Sequence, residues 1–365
     1  MRSSSSTQKQ PLKNRQGPTT TRKADGLDFT AKGGKRQGRK ALQSSRVKAG
    51  AKSGRGGICK TQLNGIIVVD KPQNITSARV VADVKRMLDA RKVGHAGTLD
   101  PFAEGVLVCC INDATRLARF LLAGNKTYEA TLKLGIETDT QDKTGTVTAV
   151  KPVMDWSEDA IHSAVKKFEG QIEQKPPVFS ALKYKGTPLY RLARKGRPIQ
   201  KPARRVHISK IRIREVNLPL VRFEVSCSAG TYIRSLCADI GRQLGCGGHL
   251  QALRRTESSG FKIQQAISPA QLERRILAGD SKQYLISMTD ALGEMPTCTA
   301  DQKLIEKIRY GKHLKKSDIK IDRSSGNPRK QNANIKIVDG ENILHAVLKY
   351  EKNRDRLSYA CVFAN

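Results

Sequence analysis

Asp100 sits in the stretch Lys92-Val-Gly-His-Ala-Gly-Thr-Leu-Asp-Pro-Phe-Ala-Glu-Gly-Val-Leu-Val, which is dense in residues that constrain or free the backbone. Gly94, Gly97 and Gly105 open conformations closed to other residues. Pro101 fixes its own φ and turns Asp100 away from helix. The apolar run Val106 to Ile111 follows at once and can anchor the turn to a buried sheet. A carboxylate held stiffly beside a core strand suits nucleophilic attack, because a scaffold must fix the attacking group before the substrate arrives. By itself, an Asp-Pro turn among glycines is also an ordinary structural turn, so the rest of the chain has to decide.

The elements that would hold this turn start near Leu63. Gly65-Ile-Ile-Val-Val-Asp70 reads as a short buried strand ended by Lys71-Pro72. Thr76 or Ser77 can cap a helix that carries Val80, Val81, Val84, Met87 and Leu88 on one face. After the Asp100 turn, Tyr128 to Leu134 alternates as a strand, and Val147 to Val150 is expected to be its neighbour. Ser157 caps a helix with Ile161, Ala164, Val165 and Phe168 inward. Val206 to Val216 and Leu220 to Cys227 read as an antiparallel pair around Asn217-Leu-Pro219, and Tyr232 to Leu244 as a helix closed by Gly245. Strands that mostly follow one another, with helices between them, give an α+β class on a mixed or antiparallel sheet with flanking helices. From residue 296 the pattern changes to a small β-rich module: a helix over Ala300 to Tyr310, a hairpin turning at Asp339-Gly340, and a strand over Tyr359 to Phe363. Lys315 to Asn334 is polar and reads as a loop.

Charge narrows the partner. The chain has 365 residues and a net charge of +34, from 67 Lys/Arg against 33 Asp/Glu. A polyanion is therefore expected, nucleic acid ahead of an anionic membrane, because no apolar run approaches the roughly 18 residues needed to span a bilayer. Residues 1–60 hold 16 Lys/Arg, two acids and one aromatic, Phe29. So little apolar surface predicts a disordered basic tail. Its Arg, Ser and Thr content also fits a mitochondrial transit segment, but apolar residues do not recur there at helical spacing. Residues 174–214 contain 13 Lys/Arg and no acid, with Phe179, Tyr184 and Tyr190 interleaved. That mixture suits base stacking and phosphate contact together, and reads as a clasp for an RNA loop. The cysteines fall among apolar residues as core thiols do in a reducing compartment. Cys246 and His249 could begin a metal site, yet no second pair lies at ligand spacing, so no metal is expected.

Five stretches in one order resemble the TruB family of pseudouridine synthases. They are Gly65 to Pro72; the Val93-Gly-His-x-Gly-x-Leu-Asp-Pro-x-Ala-x-Gly-Val-Leu stretch; Lys126-Thr-Tyr128 with Leu134-Gly135 and Thr138-Asp139-Thr140-x-Asp142; Gln174 through Gly196; and Gly230-Thr-Tyr232-Ile-Arg234 with Leu253-Arg-Arg. The resemblance covers residues 63 to about 290 strongly and the C-terminal module more weakly. It implies a pseudouridine-synthase-like sheet over residues 61–295, with the RNA-clasping insertion near 174–205, and a PUA-like RNA-binding domain over 296–365.

It also implies an activity. Making pseudouridine breaks the bond from uracil N1 to ribose C1′ and rejoins the ring through C5, with the base turned out of its stack. No redox step occurs, so no cofactor is implied. The resemblance makes Asp100 the nucleophile, at ribose C1′ or uracil C6, with Arg234 pairing to it in a bidentate contact. Tyr128 is expected to stack on the uracil with its hydroxyl near C5, Tyr232 and Leu253 to wall the pocket, and His95 to fill the space the flipped nucleotide leaves. Lys71, Arg254 and Asp142 are candidate RNA contacts, although Lys71-Pro72 also fits a structural role and Asp142 a turn. The expected function is conversion of uridine 55 in the T-arm loop of tRNA, by a cytoplasmic monomer of bacterial type that needs no protein partner. A guide-RNA-dependent enzyme of the dyskerin type is the alternative within the family, and a non-catalytic RNA-binding or RNA-folding protein the alternative outside it.

Overall fold

A computed structural model describes residues 63–321, 334–351 and 356–363. The expected N-terminal tail, and most of the expected loop between Lys315 and Asn334, lie outside the described residues. The chain runs β1 (Gly65–Lys71), α1 (Ser77–Met87), β2 (Val93–His95), β3 (Glu104–Ile111), α2 (Ala118–Leu122) and β4 (Lys126–Leu134). A hairpin of β5 (Ile136–Thr138) and β6 (Val147–Val150) precedes α3 (Glu158–Lys166) and β7 (Gly170–Gln174). The basic insertion carries β8 (Lys183–Tyr184), β9 (Thr187–Pro188) and α4 (Leu189–Arg194). Then come β10 (Arg204–Asn217), β11 (Leu220–Cys227), α5 (Ile233–Gln243), β12 (Gly248–Ser258), β13 (Phe261–Lys262) and α6 (Pro269–Leu277). The C-terminal part holds β14 (Thr297–Thr299), α7 (Gln302–Arg309), β15 (Asn334–Val338), β16 (Leu344–Glu351) and β17 (Arg356–Val362).

The main sheet has the order β1-β3-β12-β4-β11-β10-β7, with β2 on β3 and β13 on β12. Every pairing in it is antiparallel except β3 with β12. This is the α+β architecture read from the sequence. The continuous apolar runs of β1 and β3 are explained by burial on both faces. Ile66, Val68, Val106, Val108 and Cys110 pack to one side, and Ile67, Val69, Leu107, Cys109 and Ile111 to the other, against α1. Each such side chain contributes about 2 kcal/mol of burial. Strand β4 alternates instead, sending Tyr128, Ala130, Leu132 and Leu134 into a third cluster with α5.

A second sheet, β14-β15-β16-β17, stands apart in hydrogen bonding. Its apolar residues do not all form a separate core. Val338, Leu344, Val347 and Phe363 join the cluster of Ile66, Val68, Val106 and Val108 beneath the first sheet.

Three local expectations change. Val147–Val150 pairs with β5 and not with β4, because Gly135, at φ +85°, breaks the chain away after Leu134 and the hairpin stays largely exposed. The turn after β15 runs from Asp339 to Ile343, longer than a two-residue turn, because the Asp339 Oδ1 accepts from the backbone of Glu341 and Ile343, both at 2.9 Å. Of the three glycines near Asp100, only Gly97 and Gly105 take positive φ.

Candidate active site

The Asp100 turn is fastened from three directions. Helix α1 begins beside it: Thr76 caps the helix by accepting from Arg79 N at 3.1 Å, which leaves Ser77 free for another task. The Ser77 hydroxyl donates to Leu99 O at 3.0 Å and accepts from Leu99 N at 2.9 Å. Asn74 N donates to Pro101 O at 2.7 Å. Lys71 Nζ reaches the carbonyls of Ile75, Pro72 and Pro101 at 2.7, 2.9 and 3.2 Å. Gly105 must lack a side chain, since a Cβ there would run into the Arg255 backbone carbonyl.

Arg234 lies in the first turn of α5 and is only 4% exposed. Its Nε sits 3.0 Å from Asp100 Oδ2, but the N–H is not aimed at that oxygen, so the contact is an ion pair without a well-formed hydrogen bond. The expected bidentate contact is therefore absent. The two outer nitrogens are engaged elsewhere: Nη1 with Asp142 Oδ2 at 3.3 Å and Thr140 O at 3.0 Å, Nη2 with Phe179 O at 2.8 Å. Asp142 in turn is 3% exposed, and its Oδ1 accepts from Thr140 Oγ1 and Thr144 N at 2.9 Å and from Thr144 Oγ1 at 2.5 Å. Two carboxylates thus share one guanidinium. Asp142 is enclosed, while the Asp100 side chain keeps 37% of its surface open.

These surroundings set the charges. Desolvation pushes the Asp100 carboxyl above the usual carboxylate range and Asp142 adds to the push, while Arg234 and Lys71 pull it back. Burial lowers Lys71 to about 8. The Tyr128 phenol is raised, again by burial first, with Arg255 opposing. Burial, helped by Arg255, lowers His95, so its ring is neutral at neutral pH.

The remaining expected residues are distributed as follows. Tyr128 is buried on β4, across from Arg255 of β12 and Val225 of β11. Leu253 shares a core cluster with Tyr128, Leu99 and Phe102. Tyr232 is held at the start of α5 by the buried Gln174, whose amide accepts from Tyr232 N at 2.7 Å and donates to Tyr232 O at 2.9 Å, and the Arg204 guanidinium lies over its ring at 4.8 Å. His95 is half-buried on β2, and its Nδ1 is buried without a hydrogen-bond partner. Three candidate RNA contacts are otherwise employed. Asp142 faces Arg234; Lys71 is fully buried against carbonyls; Arg254 pairs with Asp70 at 2.9 Å and Glu104 at 3.5 Å and is 32% exposed. His249 Nδ1 lies 2.8 Å from Ile136 O.

Two buried cations escaped the sequence reading, Lys126 and Arg255. The signal for Arg255 was present: in an alternating strand it shares a face with Leu253, which was already placed inward.

A partly open carboxylate paired to a buried arginine, with a buried tyrosine one strand beyond β12, is the arrangement that the resemblance to pseudouridine synthases implies. The comparisons agree. Residues 85–233 match the family described as TruB family pseudouridylate synthase (N terminal domain), and residues 234–293 match the tRNA pseudouridylate synthase B C-terminal domain. The tRNA pseudouridine synthase B of Geobacter sulfurreducens is 41% identical over 266 residues, covering 73% of this chain and 88% of that protein. The one from Syntrophobacter fumaroxidans is 44% identical over 249 residues, covering 68% and 81%. Among solved structures, a Cbf5-Nop10-Gar1 complex has a chain superposing with a TM-score of 0.66 at 28% identity, covering 83% of this chain and 85% of that one. The chain belongs to the TruB family of pseudouridine synthases. The two matched segments end at residue 293, before the second sheet begins at Thr297.

Proposed function

We propose that this protein isomerises uridine to pseudouridine in tRNA, at position 55 of the T-arm loop, with Asp100 as nucleophile. The observation that carries the assignment of Asp100 is its place: a partly open carboxylate on a fastened turn, 3.0 Å from an arginine whose two outer nitrogens are held by other partners. Ionised Asp100 attacks ribose C1′ or uracil C6, the N1–C1′ bond breaks, the base turns, C5 bonds to C1′, and the bond to Asp100 breaks to return the free carboxylate. The proton then on C5 leaves to a base and one returns to N1, so the sum is an isomerisation. Tyr128 stacks on the uracil, and its hydroxyl is the group nearest in kind for the C5 proton. Tyr232 and Leu253 wall the pocket, and His95, held neutral, fills the gap in the RNA. Arg234 holds Asp100 in its charged form and Asp142 holds Arg234; Lys71 and Arg254 brace the turn from within.

Residues 174–205 form the RNA clasp. Their exposed cations surround tyrosines: Lys185 and Lys201 lie over the Tyr184 ring at 5.7 and 5.1 Å, and Arg191 and Arg194 over Tyr190 at 6.0 and 5.6 Å. The C-terminal module, from 296, is a second RNA contact of PUA-like type. The enzyme works as a cytoplasmic monomer without a cofactor or metal. No helix among the described residues is long and apolar enough to cross a membrane.

Structural likeness to Cbf5 in its Nop10 and Gar1 complex favours a second reading, action on RNA chosen by a guide within a protein complex. The higher identity to tRNA pseudouridine synthase B argues for the first. Purified chain incubated with an unmodified tRNA transcript, with no other RNA or protein, should yield one pseudouridine, mapped to position 55. Product that appears only with a guide RNA would establish the second reading. Tight binding without any product would reduce the protein to an RNA binder.

A further inference from the structure

We infer that Arg255 is a positioning residue for this reaction: it ties the strand of Tyr128 to the turn of Asp100 and places a positive charge near the Tyr128 hydroxyl. The inference rests on the isomerase reading above and adds a residue to it.

The argument begins with burial. Arg255 is 1% exposed and heads the largest fully buried side chains of the described residues. A buried guanidinium ordinarily requires a carboxylate, since desolvating it unpaired costs several kcal/mol. Among the described residues no carboxylate lies within ion-pair distance of Arg255. Its Nε donates to Val106 O at 2.7 Å and its Nη2 to Gly97 O at 3.0 Å. Both carbonyls belong to the segment that carries Asp100.

Its backbone makes the same connection. Arg255 is the cross-strand partner of Tyr128 on one side and the parallel partner of Gly105 on the other. One residue therefore touches both strands that bring the site together, and its side chain turns back under the turn. Paired across the two strands, the Arg255 and Tyr128 side chains share one face, near enough for the guanidinium to favour an ionised Tyr128 hydroxyl. The other charged or titratable groups around Tyr128 are Asp100 and Cys227, and those around Arg255 are Lys71, Lys126 and His95. Cations dominate this floor. Lys126 is committed to the carbonyls of Leu122 and Gly124.

Chemistry gives the arrangement a use. For Tyr128 to accept the C5 proton, its hydroxyl must be able to become a phenolate, and burial opposes that. A fixed cation near the hydroxyl favours the phenolate. Removing the cation should raise the hydroxyl pKa further, so that more alkaline solution is needed for the same rate. Methionine or glutamine at position 255 would avoid the cost of burying a charge and fill similar space, but would leave the phenol to burial alone.

The test uses the full chain, with single-turnover rates at saturating tRNA from pH 6.5 to 9. Wild type, Arg255→Lys and Arg255→Gln are compared, and folding is checked by thermal unfolding. Arg255→Gln should be slower at pH 9 by about tenfold or more, and 3,5-difluorotyrosine in place of Tyr128, a phenol that is ionised at that pH without help, should shrink that loss at least about fivefold. Arg255→Lys should fall between, and RNA affinity should stay within about threefold of wild type. A loss of the same size with tyrosine and with 3,5-difluorotyrosine at position 128 would make Arg255 a structural brace only and overturn the inference. So would an unchanged rate, or a failure of both variants to fold. Inactive wild type would instead refute the isomerase reading itself, so the two failures are distinguishable.

Discussion

The cations of the floor and those of the clasp carry the same charge and do different work. Lys71, Lys126, Arg234 and Arg255 are buried, and each donates to carbonyls or carboxylates of the protein itself. Lys183, Lys185, Arg191, Arg194 and Arg197 stand in solvent, several of them over tyrosine rings. An enclosed cation acts on whichever neighbour its geometry fixes, and salt reaches it little; an exposed one is a counterion exchanger whose value falls with ionic strength. Net charge alone says nothing about which kind a residue is. The function proposed above assigns the rate to the floor and the affinity to the clasp.

The sharpest break of that division is at the group the floor serves. Asp100→Asn keeps the shape and removes the charge, so turnover should vanish while RNA affinity, by filter binding, stays within a few fold. Turnover near wild type would remove Asp100 from the chemistry. Tyr128→Phe should bind nearly normally and lose more than about 10²-fold in single-turnover rate. A mild loss would leave Tyr128 a stacking platform. Asp142→Asn should cut the rate by about tenfold or more and lower stability by roughly 1–3 kcal/mol, because it strips one of the two carboxylates from a buried guanidinium. Rate and melting temperature both unchanged would show that Asp142 does not matter to Arg234.

Acid should act on the floor as well. The Asp100 carboxyl is displaced upward, and only its ionised form can attack. The rate should therefore fall, as pH is lowered, in a range above the ordinary carboxylate value of about 4, at tenfold per unit below the midpoint. A flat profile down to pH 4.5 would mean that Arg234 and Lys71 outweigh the desolvation. The smallest effect belongs to the clasp. Replacing Lys185, Arg191 and Arg194 together by Ala should weaken tRNA binding several-fold at low salt and make the slope of log affinity against log salt shallower by about 2. The rate at saturating RNA should not change. A large rate loss there would merge the two regions into one.

The same division explains what was legible in the sequence. Gly97, Pro101 and Gly105 marked a special turn at Asp100, because local constraint is what a sequence displays, but the role of nucleophile came only with the resemblance of five ordered stretches. The strands β1, β3 and β4 were readable from period and apolar content. Arg234 could be placed only through resemblance, because its partners Asp142, Thr140 and Phe179 lie 92, 94 and 55 residues away. No local pattern reveals such a meeting. For Asp142 and Lys71 the sequence left a structural role open beside an RNA contact, and the structure shows the partners of that structural role, Arg234 for Asp142 and backbone carbonyls for Lys71. Val147–Val150 was misassigned because four apolar-rich residues pair as readily in a hairpin as in a sheet.

One further consequence follows from the core shared by the two sheets. Val338, Leu344, Val347 and Phe363 are packed among Ile66, Val106 and Val108, on strands that end beside Asp100. A hinge needs a seam that can open without exposing oil to water, and here there is none. On the function proposed above, the span between Asp100 and the C-terminal sheet is thus a fixed caliper. Any RNA that engages both ends has to match that length by its own tertiary shape, so a misfolded substrate could be turned away before a single base is examined.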